Sequence, residues 1–449
     1  MAAARHTPAV FEPATIGTFR FLSRELRADG SVSLRYALDD FDFEEMLLLP
    51  VAALLDEGQR ERVEPLLALL HWVAGVSYYK AALPARIELP GGAPPAAAEL
   101  LEALYSEGLG ELAYTNGVPV PRPCFPGSDL PASPLAQPPE PRKVLVPVGG
   151  GKDSAVAIEV VRAAGVESLA LFSVGQAPPI LRTVAAAGLD HLLATRRIDP
   201  ALLALNEAGA INGHVPITAV VSCIALLVAA LNGFHAVAMA NERSASSPNL
   251  SWDGIEVNHQ FSKSLSAERL LSAAVRESGV DVAYFSVLRP ASELAIARAF
   301  TRLERYHGAF TSCNAIFRID PDRRASSWCC ECPKCRFVYL ALAPFSSPEH
   351  LREIFGRDLL DEPSQYEGFA LLGAIGGHKP FECVGEERES QAAIRLLADD
   401  PRWREHAVVR RLAAEIPSVA DDEDDVLALS DDHDVPPGLM AGVDALLRA

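Results

Sequence analysis

The sequence predicts an α/β fold in which a doubly wound, parallel, five-stranded sheet follows an N-terminal α+β domain. From Lys143 onwards, short apolar runs alternate with longer segments whose apolar residues recur at helical spacing. Alternation of this kind is typical of a parallel sheet covered by helices. The predicted strands are residues 144–148, 168–174, 191–195, 235–240 and 282–288.

The residues before Lys143 have a different pattern. Apolar runs at 19–22 and 31–36 flank Ala28-Asp29-Gly30, which is typical of a hairpin turn, and helical spacing predicts helices over about 60–83 and 96–112. The predicted divisions are an N-terminal α+β domain (1–120), a Pro-rich linker (121–142), an α/β domain (143–310), a Cys-containing substrate region (311–415) and an acidic, disordered tail (416–449).

The composition limits the classes of protein to consider. The chain has 449 residues and a formal net charge of −19, which argues against sequence-independent binding to nucleic acid or to an anionic membrane. No stretch reads as a membrane span, and the first residues lack the apolar core of a signal peptide. Eight cysteines in such a chain are not expected to form a disulfide framework. We therefore expect a cytoplasmic protein with a small-molecule substrate and without nucleic-acid or membrane partners; its oligomeric state stays open.

A glycine-rich turn, Gly149-Gly150-Gly151-Lys152-Asp153-Ser154, joins the first strand of the α/β domain to a helix. Glycines let the backbone turn sharply without a Cβ to block a ligand, and a helix N-terminus attracts anions. A carboxylate at Asp153 would repel phosphate unless a magnesium ion lies between them. A Walker A loop does not fit, since Asp153 and not Ser or Thr follows Lys152. The turn predicts a site for nucleotide phosphates and Mg²⁺; an ordinary strand-to-helix turn is the alternative.

Three polar segments, at 211–218, 240–246 and 257–264, are associated with the carboxyl ends of the predicted strands, where parallel sheets bind ligands. A loop of about twenty residues inside a compact domain is uncommon unless it has a function. The alternative is a solvated loop in which Asn212 and Ser264 cap helices. We interpret the segments as part of a binding or catalytic site.

Four cysteines have the spacing of a metal site. Cys329, Cys332 and Cys335 are three residues apart, and Cys313 is available as a fourth ligand. Two residues between cysteines place both thiolates on one tetrahedral ion, and four cysteines complete a closed structural zinc site. A C-x-x-C redox pair, an iron–sulfur cluster and buried reduced thiols are the alternatives, and Cys330 would be a spare thiol.

The glycine-rich turn resembles the PP-loop of the ATP pyrophosphatases, Ser-Gly-Gly-X-Asp-Ser, with Gly149 in place of the leading serine. With later segments included, the chain resembles the bacterial UDP-N-acetyl-α-D-muramoyl-L-alanyl-L-glutamate epimerases, the MurL family. This resemblance covers roughly residues 15–400 and rests on segments 212–216, 241–244, 258–264, 328–337 and 378–385, in that order.

The resemblance implies a fold of the adenine nucleotide α-hydrolase type and an ATP-dependent epimerase of peptidoglycan precursor synthesis. ATP would adenylate the α-carboxylate of the terminal L-glutamate of UDP-N-acetylmuramoyl-L-alanyl-L-glutamate and release pyrophosphate. The acyl-adenylate makes the α-hydrogen easier to remove. A base would take this proton, its return from the other face would give D-glutamate, and hydrolysis would release AMP.

The resemblance also implies roles for individual residues, and side-chain chemistry supports them. The residues expected at ATP are Gly149, Gly150, Gly151, Lys152, Asp153 and Ser154, with Asp153 also holding Mg²⁺. The candidates for catalysis are His214, His259, Glu242 and Lys263, and the sequence does not identify the base among them. The candidates for substrate binding are Asn241, Arg243, Asn258 and Lys379, of which Lys379 is expected near the uridine diphosphate.

Other interpretations stay open. One is a different PP-loop adenylating enzyme, either a deazapurine nitrile synthase, which has a similar cysteine row, or an enzyme that modifies transfer RNA. An amidotransferase-type synthetase would need a glutaminase pattern that the sequence lacks. The last alternative is a protein that binds a nucleotide but catalyses no reaction. The acidic charge counts against transfer RNA, and intact Asp153 and Ser154 count against the inactive module.

Overall fold

The computed structural model describes residues 10–128, 137–317, 324–377, 379–416 and 423–448 of the chain. Strands and helices alternate over much of this length. The strands are β1 (Thr18–Leu26), β2 (Ser31–Leu38), β3 (Phe41–Leu48), β4 (Arg86–Glu88), β5 (Lys143–Pro147), β6 (Ser168–Val174), β7 (His191–Arg197), β8 (Ala236–Met239), β9 (Leu250–Trp252), β10 (Ile255–Val257) and β11 (Ala283–Ser286).

The helices vary from a single turn to five turns. They are α1 (Glu57–Ala74), α2 (Val76–Tyr79), α3 (Pro95–Tyr105), α4 (Gly110–Asn116), α5 (Lys152–Ala163), α6 (Pro178–Ala187), α7 (Pro200–Glu207), α8 (Ile217–Leu231), α9 (Leu265–Glu277), α10 (Glu293–Phe300), α11 (Pro333–Leu342), α12 (Pro348–Phe355), α13 (Tyr366–Leu372), α14 (Glu387–Asp399), α15 (Ala407–Glu415), α16 (Glu423–Leu427) and α17 (Pro437–Val443). Among the described residues, no helix combines the length and the apolar character needed to cross a membrane.

A nine-stranded sheet forms the centre of the fold, in the order β11-β8-β5-β6-β7-β3-β2-β1-β4, while β9 and β10 form a small hairpin of their own. The α/β class is therefore confirmed. All five strands predicted from Lys143 onwards are present, with ends that differ by one or two residues at most. Strands β5 and β8 pair in parallel, through Val144 with Ala236 and Leu145 with Val237.

The sheet is wider than the five strands predicted, because the N-terminal strands extend it. β3 pairs antiparallel with β7, with Met46 opposite Arg197 and Leu48 opposite Thr195. This pairing satisfies backbone groups that would otherwise form two open sheet edges. Next to it, Arg196 donates from Nε and Nη2 to the carboxylate of Glu45 at 2.7 and 2.9 Å, and both side chains are buried. The prediction of a separate five-stranded sheet is wrong, since a pairing between strands so distant in sequence leaves no local signal.

The predicted N-terminal hairpin is confirmed. β1 and β2 pair antiparallel, and Gly30 in the turn between them has a φ of 81°, which favours glycine. Aromatic side chains of this region form a core: Tyr36 stacks on Tyr78 at a ring separation of 4.8 Å, and its hydroxyl donates to the carbonyl of His71 at 2.9 Å. The hydroxyl of a buried tyrosine therefore has a partner, as burial requires.

The chain divides into two compact units, and the contacts given below for each unit involve its described residues only. The first unit comprises Met1–Leu145, Leu192–Val237 and Leu250–Phe285, and the second comprises Val146–His191, Ala238–Asn249 and Ser286–Ala449. In the first unit, α1 packs against α8 and α3 against α9. The carboxylate of Glu277, at the end of α9, accepts hydrogen bonds from the first amides of α3 at 2.9 and 3.2 Å, which satisfies donors that a helix leaves unpaired.

In the second unit, α5 packs against α10 and α17. Residues 423–448, which include α16 and α17, belong to the segment expected to be a disordered acidic tail. Leu439, Val443 and Leu447 are four residues apart and all buried, so this segment has an apolar stripe to pack. Gly442 lies so close to α5 that a Cβ added to it would be 2.1 Å from the carbonyl oxygen of Val160.

Replacing Gly442 by alanine should therefore destabilise the protein. The new methyl group has no room against backbone, so we expect a loss of about 1–3 kcal/mol in the free energy of unfolding, measured by chemical denaturation. Gly438→Ala, in the same helix, is the matched control, because an added Cβ meets nothing within 4 Å there. Equal stability of the two variants would contradict the close packing of α17 on α5.

Candidate active site

The predicted strand–turn–helix at the glycine-rich loop is present. β5 ends at Pro147 and α5 begins at Lys152, with Gly151 in extended conformation as its N-cap. Gly150 has a φ of 86°, and a Cβ there would be 2.6 Å from the carbonyl carbon of Pro179. The turn therefore requires glycine at this position. Because Gly151 has no side chain, none caps the first amides of α5, and these groups suit an anion.

Hydrogen bonds hold the loop on both sides. The amide of Gly149 donates to Oγ of Ser154 at 3.0 Å, which closes the turn on itself. The amide of Thr311 donates to the carbonyl of Gly150 at 2.9 Å, which ties the turn to the segment before Cys313. These two hydrogen bonds fix the shape of the loop, as a preorganised anion site requires.

Lys152 is buried within the protein. Its side chain is 1% exposed, and its ammonium group contacts the carboxylates of Asp153 and of Glu293, which is 2% exposed. Burial alone would lower the pKa of Lys152, but these two carboxylates raise it above its ordinary value. Burial, with Asp153 and Glu242 nearby, raises the pKa of Glu293, and Lys152 opposes this rise. Lys152 therefore neutralises protein carboxylates at the start of α5.

Other predicted residues of the second unit lie in the segment after β8. Asn241 and Glu242 are buried; the amide of Asn241 donates to Oγ of Ser286 at 3.0 Å. The carbonyl of Glu242 accepts from Arg289 at 2.5 Å. Arg243 donates to the backbone carbonyls of residues 426 and 428, at 3.1 Å each, so its guanidinium is bound by the C-terminal segment.

A further buried carboxylate, Glu389, belongs to the same region and was not predicted. It accepts hydrogen bonds from Oγ of Ser244 at 2.5 Å and from the amide of Glu293 at 3.0 Å. Burial raises its pKa to about 7. Lys379 is also buried; burial lowers its pKa, and the carboxylates led by Glu389 oppose that shift. His378, its neighbour in the sequence, lies outside the described residues.

The first unit contains a cluster of two histidines and a glutamate. Nδ1 of His259 is 2.5 Å from Oε2 of Glu111, and each of these side chains is 13% exposed. The rings of His214 and His259 are 4.3 Å apart between centroids. Since the carboxylate holds Nδ1 of His259 as the hydrogen-bond donor, Nε2 is the nitrogen on which a proton would be exchanged.

His214 has the electrostatics of a neutral imidazole. Burial lowers its pKa to about 4, with a further lowering by His259 and Lys263 against the opposing effect of Glu111. At neutral pH this ring is therefore uncharged, while Nδ1 of its neighbour His259 is paired with a carboxylate. Two adjacent imidazoles with different surroundings are a suitable pair for proton transfer.

Glu111 was not predicted, because it is far from both histidines in the sequence. Two glycines allow its helix to approach them: a Cβ on Gly108 would be 3.1 Å from Pro216, and one on Gly110 would be 3.1 Å from Ile255. In the sequence, this pair of glycines around the start of α4 indicates that another segment packs closely against the backbone there, but it does not identify that segment.

Lys263, Asn258 and the two proposed caps also belong to the first unit. Nζ of Lys263 is 3.4 Å from Oε1 of Gln260, and Oδ1 of Asn258 accepts from the amide of Gln260 at 2.7 Å. Ser264 is the N-cap of α9, so its structural interpretation is confirmed. Asn212 does not cap α8; it accepts from Nζ of Lys80 at 2.8 Å.

Two groups of described residues have ligand atoms close enough to hold a metal ion: Glu111, His214 and His259, and the four cysteines Cys313, Cys329, Cys332 and Cys335. In the first group Nδ1 of His259 and Oε2 of Glu111 are 2.5 Å apart, which is the distance of a direct hydrogen bond. Two ligands of one tetrahedral ion at about 2.1 Å would be about 3.4 Å apart.

The stability of the protein should depend on pH through His214. Folding lowers its pKa from an ordinary 6.5 to about 4, so the unfolded chain binds more protons between these values. The stability that His214 contributes is therefore present above pH 6.5 and is lost as the pH falls towards 4. His214→Gln should reduce the loss of unfolding free energy between about pH 8 and about pH 5 by about 2 kcal/mol. Denaturant titrations at both pH values test this; parallel curves for the two proteins would contradict it.

The buried pair of Lys152 and Glu293 should behave as a coupled unit. Lys152→Met leaves a carboxylate buried without its cation, so we expect a loss of about 3–5 kcal/mol in unfolding free energy. The double variant Lys152→Met/Glu293→Gln should lose less than the sum of the single changes in a double-mutant cycle. Lys143→Met, which removes an exposed lysine, is the control and should change stability by about 0.5 kcal/mol or less. Additive losses would refute the coupling.

Comparison with known sequences identifies relatives over nearly the whole chain. Residues 10–287 match the MurL N-terminal domain and residues 309–427 match the MurL C-terminal domain. A protein of Salinispora tropica, named UDP-N-acetyl-α-D-muramoyl-L-alanyl-L-glutamate epimerase, is 46% identical over 90% of this chain and 89% of its own length.

Proteins of the same name from a Micromonospora species and from Xanthomonas oryzae pv. oryzae are 46% and 41% identical, over 94% and 97% of this chain and 96% and 99% of their own lengths. Comparison with solved structures gives no match. Identity at this level over this length shows common descent, and the chain therefore belongs to the MurL family of epimerases and is an enzyme of the isomerase class.

Proposed function

We propose that the protein converts the terminal L-glutamate of UDP-N-acetylmuramoyl-L-alanyl-L-glutamate to D-glutamate, in an ATP-dependent reaction of peptidoglycan precursor synthesis. The observation that carries this proposal is the His214–His259–Glu111 cluster, in a chain that belongs to a family of epimerases acting by name on this compound. We further propose that the protein is cytoplasmic, where such nucleotide-linked precursors would be its small-molecule partners.

Activation of the α-carboxylate is the first step that we propose. A free carboxylate makes the neighbouring α-hydrogen hard to remove, because deprotonation would build a second negative charge beside the first. Transfer of AMP from ATP to one carboxylate oxygen, with loss of pyrophosphate, removes that charge. A base as weak as His214, whose pKa is lowered to about 4, needs an α-hydrogen acidified in this way.

We assign phosphate binding to a PP-loop formed by residues 149–154. The turn forced by Gly150, the uncapped amides of α5 and Ser154 support this assignment. The ammonium of Lys152 is paired with Glu293 and Asp153, so Lys152 would contribute to phosphate binding indirectly, through these carboxylates.

Mg²⁺ fits the donor set of this loop. Asp153 offers a carboxylate that is 24% exposed in the first turn of α5, next to the amides that would bind phosphate. When bound, the ion would neutralise phosphate charge and so favour the loss of pyrophosphate.

Proton transfer is the second step. We assign removal of the α-hydrogen to neutral His214, and we assign His259, held by Glu111, to the exchange of the proton through Nε2. Lys263 would stabilise negative charge that develops on the substrate. Glu242 stays a second candidate for the base, and Asn241, Arg243, Asn258 and Lys379 stay candidates for binding the substrate.

The proposal is tested with UDP-N-acetylmuramoyl-L-alanyl-L-glutamate, ATP and Mg²⁺ in deuterated water. We expect AMP release together with D-glutamate that carries deuterium at the α-carbon. Asp153→Asn should abolish both signals. His214→Gln should lower inversion by about 10²- to 10⁴-fold while AMP is still formed. His235→Gln, which removes a histidine outside the cluster, is the matched control and should retain both activities.

Three outcomes would count against the proposal. AMP without inversion in the parent protein would indicate an adenylating enzyme of another kind. Inversion without ATP would remove the acyl-adenylate from the mechanism. Unchanged inversion by His214→Gln would reject this histidine as the base and direct attention to Glu242.

A further inference from the structure

The second unit contains a compact group of four thiols that the proposed reaction does not use. The sulfur atoms of Cys313, Cys329, Cys332 and Cys335 all lie within 4.8 Å of one another. Cys313 lies two residues after Thr311, whose amide donates to the glycine-rich loop. Cys329 and Cys332 lie just before α11, and Cys335 lies in its first turn. The fold thus brings together thiols that are separated in the sequence.

The sulfur separations fit one tetrahedral ion. Four thiolates at about 2.3 Å from an ion are about 3.8 Å apart. Sγ of Cys335 is 3.8 Å from Sγ of Cys329 and 3.4 Å from Sγ of Cys332. A disulfide needs a separation of about 2.05 Å, and no pair among the described cysteines is bonded.

Backbone amides point at two sulfur atoms of the group. The amide of Glu331 points at Sγ of Cys329 at 3.5 Å, and the amide of Cys335 donates to Sγ of Cys332 at 3.4 Å. Cys332 is also the N-cap of α11, where the helix dipole favours negative charge.

Two of the four thiols are enclosed by the protein and two are partly buried. Cys313 and Cys335 are fully buried, and Ala315, Ile316 and Trp328 pack around the group. Cys330 is excluded from it, because its Sγ points at the carbonyl of Phe355 at 3.4 Å. Four protein ligands fill a tetrahedral ion and leave no position for water or substrate, which is typical of structural and not of catalytic zinc.

We propose that Cys313, Cys329, Cys332 and Cys335 bind one structural Zn²⁺, which fixes the position of the glycine-rich loop. The link is the short segment 311–313. Thr311 donates to the carbonyl of Gly150, and a Cβ on Gly151 would be 2.6 Å from Oγ of Ser312. Cys313, which follows Thr311 by two residues, would be a ligand of the ion, so the ion would restrain the segment that contacts the loop. Binding releases the thiol protons and involves no change in oxidation state.

Elemental analysis of the full-length protein, purified without added metal, tests the site whether or not the proposed reaction is correct. We expect about one zinc per chain. Exchange with Co²⁺ should give the intense visible and near-ultraviolet bands of tetrahedral cobalt thiolate. Cys332→Ser and Cys313→Ser should lose most of the metal. Cys330→Ser is the matched control, because it removes an adjacent thiol outside the group, and it should retain the metal.

The proposed effect of the zinc site on the glycine-rich loop is tested separately, by amide hydrogen exchange. In Cys332→Ser, amide hydrogen exchange should increase in residues 149–154 and 311–313, while exchange in α17 serves as the internal reference for intact folding. Protein without stoichiometric metal, an iron–sulfur absorbance, or full retention of zinc by both ligand variants would overturn the site. Loss of zinc with unchanged exchange in 149–154 would overturn the positioning role.

Discussion

The pairing of β3 with β7 joins the two parts of the first unit that supply the histidine cluster. β7 leads through α7 to the segment that contains His214, whereas β3 belongs to the N-terminal region that later supplies Glu111 on α4. Backbone pairing and the buried, doubly hydrogen-bonded pair of Glu45 and Arg196 hold these parts of the first unit together. A buried pair with matched geometry specifies register well, because a slip by one residue would leave both charges unpaired.

The second unit has a different organising constraint, the neutralisation of buried charge beside the glycine-rich loop. Lys152, Glu293, Glu389 and Lys379 are all buried there. Each acidic group has a donor or a cation within reach, and the amide of Glu293 itself donates to Glu389. Such a network is costly to assemble but rigid when every member is satisfied. Rigidity is what the glycine-rich turn and the carboxylate of Asp153 need if they are to bind charge, as we propose, without rearrangement.

Local pattern predicted much of this architecture. The strands from Lys143 onwards, the N-terminal hairpin and the turn at Gly150 follow from apolar periodicity and from glycine chemistry, which depend on neighbouring residues only. Contacts between distant segments had no such signal. For that reason the sequence did not reveal the β3–β7 pairing, Glu111 beside His259, or Glu293 beside Lys152. Loop position and family resemblance indicate His214 and His259 as candidates, but their contact is a property of the fold.

The burial of Lys152 has a consequence for how this family can diversify. The loop pattern that residues 149–154 resemble leaves the position after the glycines variable, so a change there looks harmless when the loop is considered alone. In this protein the side chain at 152 shares an enclosed space with Glu293, 141 positions further along the chain. Neither position can drift by itself, since each intermediate would carry one unmatched charge. Descendants that lose the lysine are therefore expected to have replaced the glutamate as well, which makes the two sites a single inherited character.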